Sequence, residues 1–386
     1  MTSETLRSPL HDEHVALGAT LVDFAGWEMP VRYSGDIAEH RAVRTGAGLF
    51  DLSHMGEISV RGAEADAFLD DALVGRMSAI PLGGAKYTML CAADGGVIDD
   101  LIVYRRDLDH FMIVANAANK DVVLAELDER LEGFDAELDD ISADIALIAV
   151  QGPLAEGIVS RMTERGADDI VAMRYYSFGT VVLGGGIHAF VARTGYTGED
   201  GFELFVGADE AAAVWRLALS EGAADGIIPC GLSSRDTLRL EAGMPLYGHE
   251  LTRDTTPFDA GLGRVVVFGT ERSPRGDFVG RAALEAARDA RKAAQAEPSA
   301  ASARALVGLV GDGRRAARAG YAVVDEAGAQ VGEVTSGAPS PTLGRPIAMA
   351  YVPLALAADG TEVLIDVRGR RESMTVTALP FYKRGA

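Results

Sequence analysis

The chain has 386 residues, of which 48% are hydrophobic and 24% are charged, and its formal net charge is −21. This length exceeds what one hydrophobic core usually supports, so two or three domains are expected. The negative charge disfavours binding to nucleic acid or to an anionic membrane surface. No apolar run approaches the roughly 18 residues of a membrane-spanning helix. Cys91 and Cys230 lack metal-ligand spacing and suit a reducing compartment, which predicts a cytoplasmic protein.

The first two-thirds of the chain predict helices and strands joined by many hairpins. Residues 63–76 have a helical pattern, and the Asp-Gly-Gly segment at 94–96 predicts a hairpin turn. The strand HFMIVAN precedes an amphipathic helix at 120–131, and IALIAVQGP predicts a short buried strand that ends at a turn. Because helices alternate with antiparallel strands, the pattern favours an α+β fold over a doubly wound sheet.

The C-terminal third changes in composition. A helical run passes into a linker rich in Ala, Ser and Pro. Residues 304–386 then carry six short strands separated by turns, which predicts a small β-barrel or sandwich. Residues 272–318 hold ten basic and five acidic side chains, whereas residues 121–169 are strongly acidic. A solvated face explains either stretch most simply; the alternative is that the basic stretch receives an acidic partner or an anionic ligand tail.

An acidic pair, Asp99 and Asp100, interrupts the apolar strand VIDDLIVY. Side chains alternate along a strand, so one carboxylate faces inward and the other outward. Two adjacent acids of one strand cannot converge on a single atom, so at most one of them acts in proton transfer and the other is structural. Capping of a backbone amide is the structural alternative for the pair. The pattern by itself leaves both interpretations in place.

Two further candidates follow in the sequence. Glu203 comes after the glycine-rich turn GYTGEDG, and its carboxylate can accept two parallel hydrogen bonds from an amidine-like pair of donors on a ligand, although most charged strand residues are simply solvated. The segment SSRDTLRLEAG predicts a helix that starts with a capping box at Ser233 and stops near Gly243. Arg235 and Arg239, one turn apart, form either surface ion pairs or a clamp for an anion.

Cofactor motifs of the common kinds are missing from the sequence. No glycine-rich dinucleotide motif opens a helix after a strand, and no G-K-[ST] phosphate loop occurs. The histidines form no H-E-x-x-H pair, and His11 and His14 lie in a polar N-terminal segment that we expect to be mobile. Neither a metal nor a nucleotide cofactor is therefore expected.

Eight segments, in order along nearly the whole chain, resemble the aminomethyltransferase (T-protein) family of the glycine cleavage system. They are PLHDEHVALGATLVDFAGWEMPVRY, HRAVRTGAGLFDLSHMG, GGVIDDLIVY, ALIAVQGP, TGYTGEDGFE, RDTLRLEAGMPLYGHE, VTSGAPSPTLGRPIAMAYVP and PFYK. The resemblance implies an α+β, three-domain cloverleaf around a central folate channel. Its parts would be two interleaved antiparallel domains, a linker segment and a C-terminal β-barrel, at residues 1–51 with 141–285, 52–140, 286–303 and 304–386.

The resemblance also implies a reaction, in which the methylene of an S-aminomethyl-dihydrolipoyl H protein passes to tetrahydrofolate with release of ammonia. The implied partners are the lipoylated H protein and, more loosely, the other glycine cleavage enzymes. The motifs match the family's essential carboxylate to Asp100, its pterin-binding acid to Glu203 and a folate-contacting arginine to Arg235. The other matched pocket positions are Met55, Tyr87, Asn116, Tyr176, Tyr196 and, at the C-terminus, Lys383 or else Arg384. Arg264 stands where the family often has Trp, so one pocket wall is expected to differ.

Two other kinds of protein remain as alternatives. One is a folate-dependent demethylase or the folate half of a sarcosine-type oxidase, although such oxidases carry a fused flavin domain and this sequence begins with the T-type segment. The other is a folate-binding maturation factor that transfers nothing. Such paralogues carry a cysteine-containing motif in place of GYTGEDG, and both cysteines of this chain lie outside that motif.

Overall fold

The structure, a computed structural model, describes residues 5–297 and 303–385. The chain divides into two compact units, of which the first comprises residues up to Phe68, Met77–Lys86 and Leu101–Leu238, and the second comprises Leu69–Arg76, Tyr87–Asp100 and the residues from Arg239 onwards. None of the described helices combines the length and the apolar character that a membrane span requires. The boundaries predicted for the interleaved domains and the linker stay predictions, and residues 298–302 of that linker lie outside the described residues.

The helices of the described part are α1 (His11–Ala16), α2 (Asp36–Thr45), α3 (Ala65–Ala72), α4 (Lys120–Arg130), α5 (Ala155–Met162), α6 (Ala167–Ala172), α7 (Ala211–Glu221), α8 (Leu232–Glu241) and α9 (Arg281–Ala296). The strands are β1 (Leu6–Arg7), β2 (Thr20–Phe24), β3 (Trp27–Arg32), β4 (Gly48–Asp51), β5 (Gly56–Arg61), β6 (Ala85–Cys91), β7 (Val97–Asp107), β8 (His110–Ala115), β9 (Glu137–Asp140), β10 (Ile145–Gln151), β11 (Thr163–Arg165), β12 (Phe178–Leu183), β13 (Ile187–Ala192), β14 (Gly201–Gly207), β15 (Ile228–Pro229), β16 (Arg304–Gly311), β17 (Ala322–Val324), β18 (Gln330–Ser340), β19 (Arg345–Pro353), β20 (Glu362–Val367) and β21 (Arg370–Thr377).

A seven-stranded sheet of order β11-β12-β13-β14-β10-β4-β15 forms the centre of the first unit. Its strand β10, predicted from IALIAVQGP, pairs antiparallel with both β14 and β4. Ala146, Ile148 and Val150 project into one hydrophobic core together with residues of α5 and α7, while Leu147 and Ala149 project into another. The strand is therefore buried on both faces, which explains its nearly uninterrupted apolar sequence.

The second of these cores, here called the aromatic cluster, contains Phe50, Tyr104, Met112, Val114, Leu147, Ala149, Phe190 and Phe205 among its buried members. It draws side chains from the seven-stranded sheet and from a five-stranded sheet of order β6-β7-β8-β5-β9. The Tyr104 ring meets Phe190 and Phe205 edge to face, with centroid distances of 5.4 and 5.7 Å. Edge-to-face contacts stabilise such a cluster beyond its burial of apolar area. The α+β class predicted from the sequence is confirmed.

The C-terminal strands of the second unit close into a six-stranded barrel of order β16-β19-β18-β17-β20-β21. Strand β16 pairs with both β19 and β21, so that no strand edge is left unpaired around the ring. Leu309, Val334 and Ile365, fully buried, are among the side chains that fill its interior. Of the two architectures predicted for this region, barrel and sandwich, the barrel is the one that forms.

The prediction that the N-terminal segment is mobile is wrong at His14, whose side chain is fully buried. Its Nε2 atom lies 2.8 Å from Asp51 Oδ2, and its Nδ1 atom lies 2.9 Å from the Tyr33 hydroxyl. Burial by itself would raise the pKa of Asp51, but hydrogen bonds from His14 and Ser8 outweigh burial and lower it. Partners from β4 and from the segment after β3 thus fix α1, and a local sequence pattern does not reveal them.

Helix α8 begins at Leu232, one residue before Ser233, so Ser233 lies inside the first turn and the predicted capping box is wrong. Ser234 Oγ instead donates to the Gly231 carbonyl oxygen at 2.8 Å. The predicted stop is confirmed, because Gly243 follows the helix with φ +65°.

Candidate active site

The glycine-rich turn before Glu203 folds around one buried side chain, Gln151. Its Nε2 atom donates to the Thr194 carbonyl oxygen at 3.1 Å, and its Oε1 atom accepts from Thr197 Oγ1 at 3.0 Å. A Cβ atom at Gly195 or Gly201 would lie 2.0 or 2.3 Å from the Gln151 amide group, so the amide leaves no space for a side chain at either position. The turn is thereby held in one conformation, and β14 starts from a fixed place.

The acids of this turn also hold it in place. Glu199 pairs with Arg44 at 3.0 Å with both side chains buried, and Arg44 donates to the Thr197 carbonyl oxygen at 2.7 Å. Asp200 pairs with Arg193. Buried pairs of this kind fix geometry more than they add net stability, because desolvation offsets much of their attraction.

Glu203 lies on β14 opposite Ala149 and faces the aromatic cluster, with 8% of its surface exposed. Thr194 Oγ1 donates to its Oε2 atom, and the Tyr104 hydroxyl lies 3.4 Å from the same oxygen. Burial raises the pKa of Glu203, and the Thr194 hydrogen bond, the charge of Arg235 and the Tyr104 hydroxyl oppose that rise. The interpretation of Glu203 as a solvated strand residue is therefore wrong.

Arg235 of α8 lies over an aromatic ring. Its guanidinium carbon is 4.8 Å from the centroid of the Tyr196 ring, within cation–π range. Among the described residues, the guanidinium has no hydrogen-bond partner, although the charge of Glu203 is close enough to raise its pKa against the lowering caused by burial. Its planar donors therefore remain available to a ligand.

His54 lies near this arginine and was not singled out from the sequence. Its ring is buried, its Nδ1 atom has no hydrogen-bond partner within the described residues, and the Phe24 ring meets it edge to face at 5.5 Å. Burial lowers the pKa of His54 to about 4; the charge of Arg235 adds to this and that of Asp51 opposes it. The imidazole is therefore neutral at physiological pH.

Met55 and Asn116 lie side by side at one end of the five-stranded sheet. Gly56 of β5 pairs with Ala115 of β8, and the two predicted site residues directly flank this pair. Met55 packs partly buried against the aromatic cluster. Both residues thus lie at the same end of this sheet, where Met55 contacts the aromatic cluster.

Tyr176 adopts φ +61°, a left-handed conformation that is rare for a tyrosine. Its N–H donates to the Arg193 carbonyl oxygen at 3.0 Å, and its carbonyl oxygen accepts from Ala85 N at 2.9 Å. It lines a cleft of about 640 Å³ that residues 81–84 and 172–179 help to form. The backbone bonds on both sides fix the direction of the tyrosine side chain.

The acidic pair lies in the second unit and behaves as strand alternation predicts. Asp99 is fully buried, whereas Asp100 is partly exposed and accepts a hydrogen bond from the Tyr87 hydroxyl at 2.9 Å. At the C-terminus, Lys383 is exposed, and the Tyr382 N–H just before it donates to the Glu241 carbonyl oxygen at 2.8 Å. Asp100 and Tyr87 are thus in direct contact, and Lys383 lies at the surface.

Comparison with known proteins places the chain in a family. The GCVT N-terminal domain model matches residues 10–270, and the model of the glycine cleavage T-protein C-terminal barrel domain matches residues 304–383. The chain belongs to the glycine cleavage T-protein family. Aminomethyltransferases from Streptomyces coelicolor and Anoxybacillus flavithermus are 57% and 44% identical to it, the first covering 99% of each chain and the second 98% of this chain and 99% of its own.

A solved structure of glycine cleavage system aminomethyltransferase T from Bartonella henselae is 35% identical, covers 98% of each chain and superimposes with a TM-score of 0.86. The resemblance found in the sequence motifs is confirmed, and this T-protein family member is an enzyme of the transferase class. Among its described residues, no group of three or more His, Cys, Asp or Glu side chains is arranged to hold a metal ion.

In this T-protein family member, the first unit brings six of the predicted site residues to the aromatic cluster or its margins: Met55, Asn116, Tyr176, Tyr196, Glu203 and Arg235. The second unit holds Asp100, Tyr87 and Lys383. Sequence reasoning missed three residues that position Glu203 or its turn, namely Tyr104, Gln151 and Thr194. All three lie in or directly beside the motifs VIDDLIVY, ALIAVQGP and GYTGEDG. Their position next to the motif acids is the one sequence signal that could have identified them as hydrogen-bond partners of those acids.

Arg264, expected to change one wall of the pocket, is exposed in a short turn at residues 263–265 of the second unit. The prediction that it changes one wall of the pocket stays a prediction.

Proposed function

We propose that this enzyme transfers the methylene group of an S-aminomethyl-dihydrolipoyl H protein to tetrahydrofolate, releasing ammonia and giving 5,10-methylenetetrahydrofolate. The observation that carries the proposal is the Glu203 carboxylate, buried beside aromatic rings and close to the unbonded guanidinium of Arg235. A flat heterocycle with a donor edge fits such a site, because rings pack on rings and the donor edge meets the acid.

Glu203 would accept two parallel hydrogen bonds from the N3–H and 2-amino groups of the pterin. Thr194 and Tyr104 already hold one carboxylate oxygen, which fixes the plane of the carboxylate before the ligand arrives. The charge of Arg235 favours the ionised, acceptor-only form that this contact needs. Arg235 itself, supported by the Tyr196 ring, would donate to an oxygen of the folate.

Asp100 would be the catalytic acid–base group. Tetrahydrofolate supplies the nitrogen nucleophile that accepts the one-carbon unit. Asp100 stabilises the positive charge that develops on that nitrogen and accepts the proton that it loses, and the Tyr87 hydroxyl fixes the carboxylate at 2.9 Å. A fixed charge placed where charge develops needs no reorganisation during the reaction.

The remaining matched residues would bind rather than react. Met55, Asn116 and Tyr176 would line the pterin pocket, since they lie at the aromatic cluster or along the strand ends beside it. Lys383, or else Arg384, would meet an anionic part of the folate. We further propose that the lipoylated H protein is the partner, with looser links to the other glycine cleavage enzymes, that the enzyme uses neither metal nor nucleotide, and that it works in the cytoplasm.

The test is ammonia release from aminomethyl-loaded H protein, measured with and without tetrahydrofolate. We expect fast release only with tetrahydrofolate, together with an equal amount of 5,10-methylenetetrahydrofolate. Dimethylglycine and sarcosine serve as control donors, because a folate-dependent demethylase would use them. Formation of 5-methyltetrahydrofolate from these amines, a methyl transfer without change of oxidation state, with no product from the loaded H protein, would contradict the proposal in favour of the demethylase.

A further inference from the structure

Glu57 on β5 is a fully buried acid. Neither of its carboxyl oxygens has a hydrogen-bond partner within the described residues. Its backbone is satisfied, because its N–H donates to Ser142 Oγ at 2.9 Å and its carbonyl oxygen accepts from Ile141 N at 3.0 Å. A buried polar group without a partner costs stability, so a side chain with two such atoms calls for a partner that the described residues do not supply.

Glu39 shows how this fold treats a buried glutamate that serves structure alone. It is as buried as Glu57, but its Oε1 atom accepts from Tyr33 N at 2.7 Å and Gly35 N at 3.0 Å. Its Oε2 atom accepts from Gly231 N at 2.8 Å. The two glutamates are thus matched in type and burial and differ in whether the protein completes their hydrogen bonds.

The strand register shows which way the Glu57 side chain projects. Glu57 lies opposite Val114, and Ser59 lies opposite Met112, in the antiparallel pairing of β5 with β8. Residues directly opposite each other project from the same face of a sheet. Val114 and Met112 belong to the aromatic cluster, so Glu57 faces that cluster from the five-stranded sheet while Glu203 faces it from the seven-stranded sheet.

The charged groups around Glu57 favour its neutral form. Burial raises the pKa of Glu57 well above its ordinary value, and the charges of Asp140 on β9 and Glu203 on β14 add to that rise. Lys120 of α4 opposes it, but Lys120 is also engaged by Asp140 at 2.8 Å. A neutral carboxylic acid offers one donor and one acceptor, whereas an ionised carboxylate offers acceptors alone.

We propose that Glu57 is a second pterin-binding residue, which donates a hydrogen bond to a ring acceptor and accepts one from the neighbouring ring N–H. This rests on the proposed function. The ring of a tetrahydropterin has edges where an acceptor stands beside an N–H, and a neutral carboxylic acid complements such an edge while Glu203 holds the all-donor edge. Met55, two residues earlier and packed on the same cluster, has the flexible side chain that can shift to admit the ring.

The test uses the full-length enzyme, with tetrahydrofolate binding measured by calorimetry and stability measured by thermal unfolding. Glu57→Leu removes the unpartnered acid, so we expect a higher Tm together with a Kd for tetrahydrofolate that is about 10- to 100-fold weaker. Glu57→Gln restores one donor and one acceptor and should recover most of the affinity. The matched control, Glu39→Gln, should lower the Tm and leave the Kd nearly unchanged, because its carboxylate is already bonded to three backbone N–H groups and is not proposed to meet the ligand.

A second measurement covers the case in which Glu57→Leu does not fold. The affinity of the parent enzyme should fall as pH rises through the raised pKa of Glu57, and Glu57→Gln should remove that alkaline limb. An unchanged Kd in Glu57→Leu, or the same alkaline limb in Glu57→Gln, overturns the proposal. The Glu57 carboxyl group would then be hydrogen-bonded to a buried water instead of to the ligand. Failure of the parent enzyme to bind tetrahydrofolate would instead overturn the proposed function, so the two failures are distinguishable.

Discussion

Helix α8 carries two arginines one turn apart whose surroundings differ completely. Arg239 is buried, pairs with Glu250 at 3.0 Å and donates to Ser336 Oγ at 2.7 Å. Arg235 lies over the Tyr196 ring and has no hydrogen-bond partner among the described residues. One charge is thus compensated inside the protein, and the other keeps its donors for a ligand. The pair shows that residue type and helical spacing do not assign a role, whereas completed hydrogen bonds do.

The same contrast separates other buried acids. Glu241 accepts hydrogen bonds from Ser340 and from Thr342, the latter at 2.7 Å, and serves the second unit as a structural anchor. Glu203 in the first unit is bonded on one oxygen by hydroxyl groups and faces aromatic rings. In groups that support the fold, the protein itself supplies the hydrogen-bond partners. Groups proposed to bind substrate are positioned by some protein hydrogen bonds and keep further acceptor or donor sites for the ligand.

The strongest test of this contrast is Asp100→Asn, which removes charge from the partly exposed acid of the pair and preserves its shape. The transfer rate should fall by about 10²–10⁴-fold while tetrahydrofolate still binds, because the carboxylate acts on charge that develops during the reaction. Stopped-flow transfer from loaded H protein measures the rate, and calorimetry measures binding. Asp99→Asn is the control: its cost should appear in the free energy of unfolding, since Asp99 is fully buried. Equal rate losses in both variants would contradict the assignment of Asp100.

The two arginines provide a crossed test. Arg239→Met leaves Glu250 as an unpaired buried charge and should cost about 3–5 kcal/mol of unfolding free energy. Arg235→Met should change that free energy little but weaken tetrahydrofolate binding by about 1–3 kcal/mol, because it removes donors meant for the ligand. Denaturant unfolding gives the free energy of unfolding of each variant, and calorimetry gives the Kd of each variant for tetrahydrofolate. If both variants lost stability alike and bound folate alike, the distinction between them would be wrong.

Glu203→Gln tests the carboxylate and its pH range together. Binding of tetrahydrofolate should weaken by about 2–4 kcal/mol, since one acceptor of the donor pair is lost. The pKa of Glu203 is raised, so the affinity of the parent enzyme should be complete above that pKa and lost as pH falls through it, at a higher pH than for an ordinary glutamate. Calorimetry at several pH values should show this acid limb in the parent and no acid limb in the variant. An identical limb in both would assign the titration to another group.

The smallest effect is expected from the basic stretch at 272–318, which the structure shows to be engaged largely within the protein. Arg288 pairs with Asp289 at 2.9 Å, Lys292 lies 4.0 Å from the same acid, and Arg291 donates to a backbone oxygen. Reversing the charges of Arg288, Arg291 and Lys292 should raise the KM for H protein by a small factor, because long-range attraction is screened over about 8 Å at physiological salt.

Added salt should raise the KM for H protein in the same way, while the Kd for monoglutamyl tetrahydrofolate barely moves. If the KM for H protein changed neither with salt nor with the triple charge reversal, the basic stretch would be a solvated face and the docking surface for H protein would lie elsewhere.

The sequence by itself determined the elements whose signals are local. Strand alternation assigned opposite exposures to Asp99 and Asp100, the Asp-Gly-Gly segment at 94–96 gave the turn between β6 and β7, and β10 followed from its apolar run. The motifs, taken in order, also led to the family. These features depend on neighbours within a few residues, so periodicity and turn chemistry suffice to predict them.

The tertiary structure decided everything that depends on partners from distant parts of the chain. Arg239 is paired with Glu250 and donates a hydrogen bond to Ser336 of the barrel, and Glu203 is buried because Tyr104 and the rest of the aromatic cluster cover it. The choice of a barrel over a sandwich rests on the pairing of β16 with β21. Whether a buried charge is satisfied depends on atoms that folding brings together across tens of residues, and no local sequence pattern contains that information.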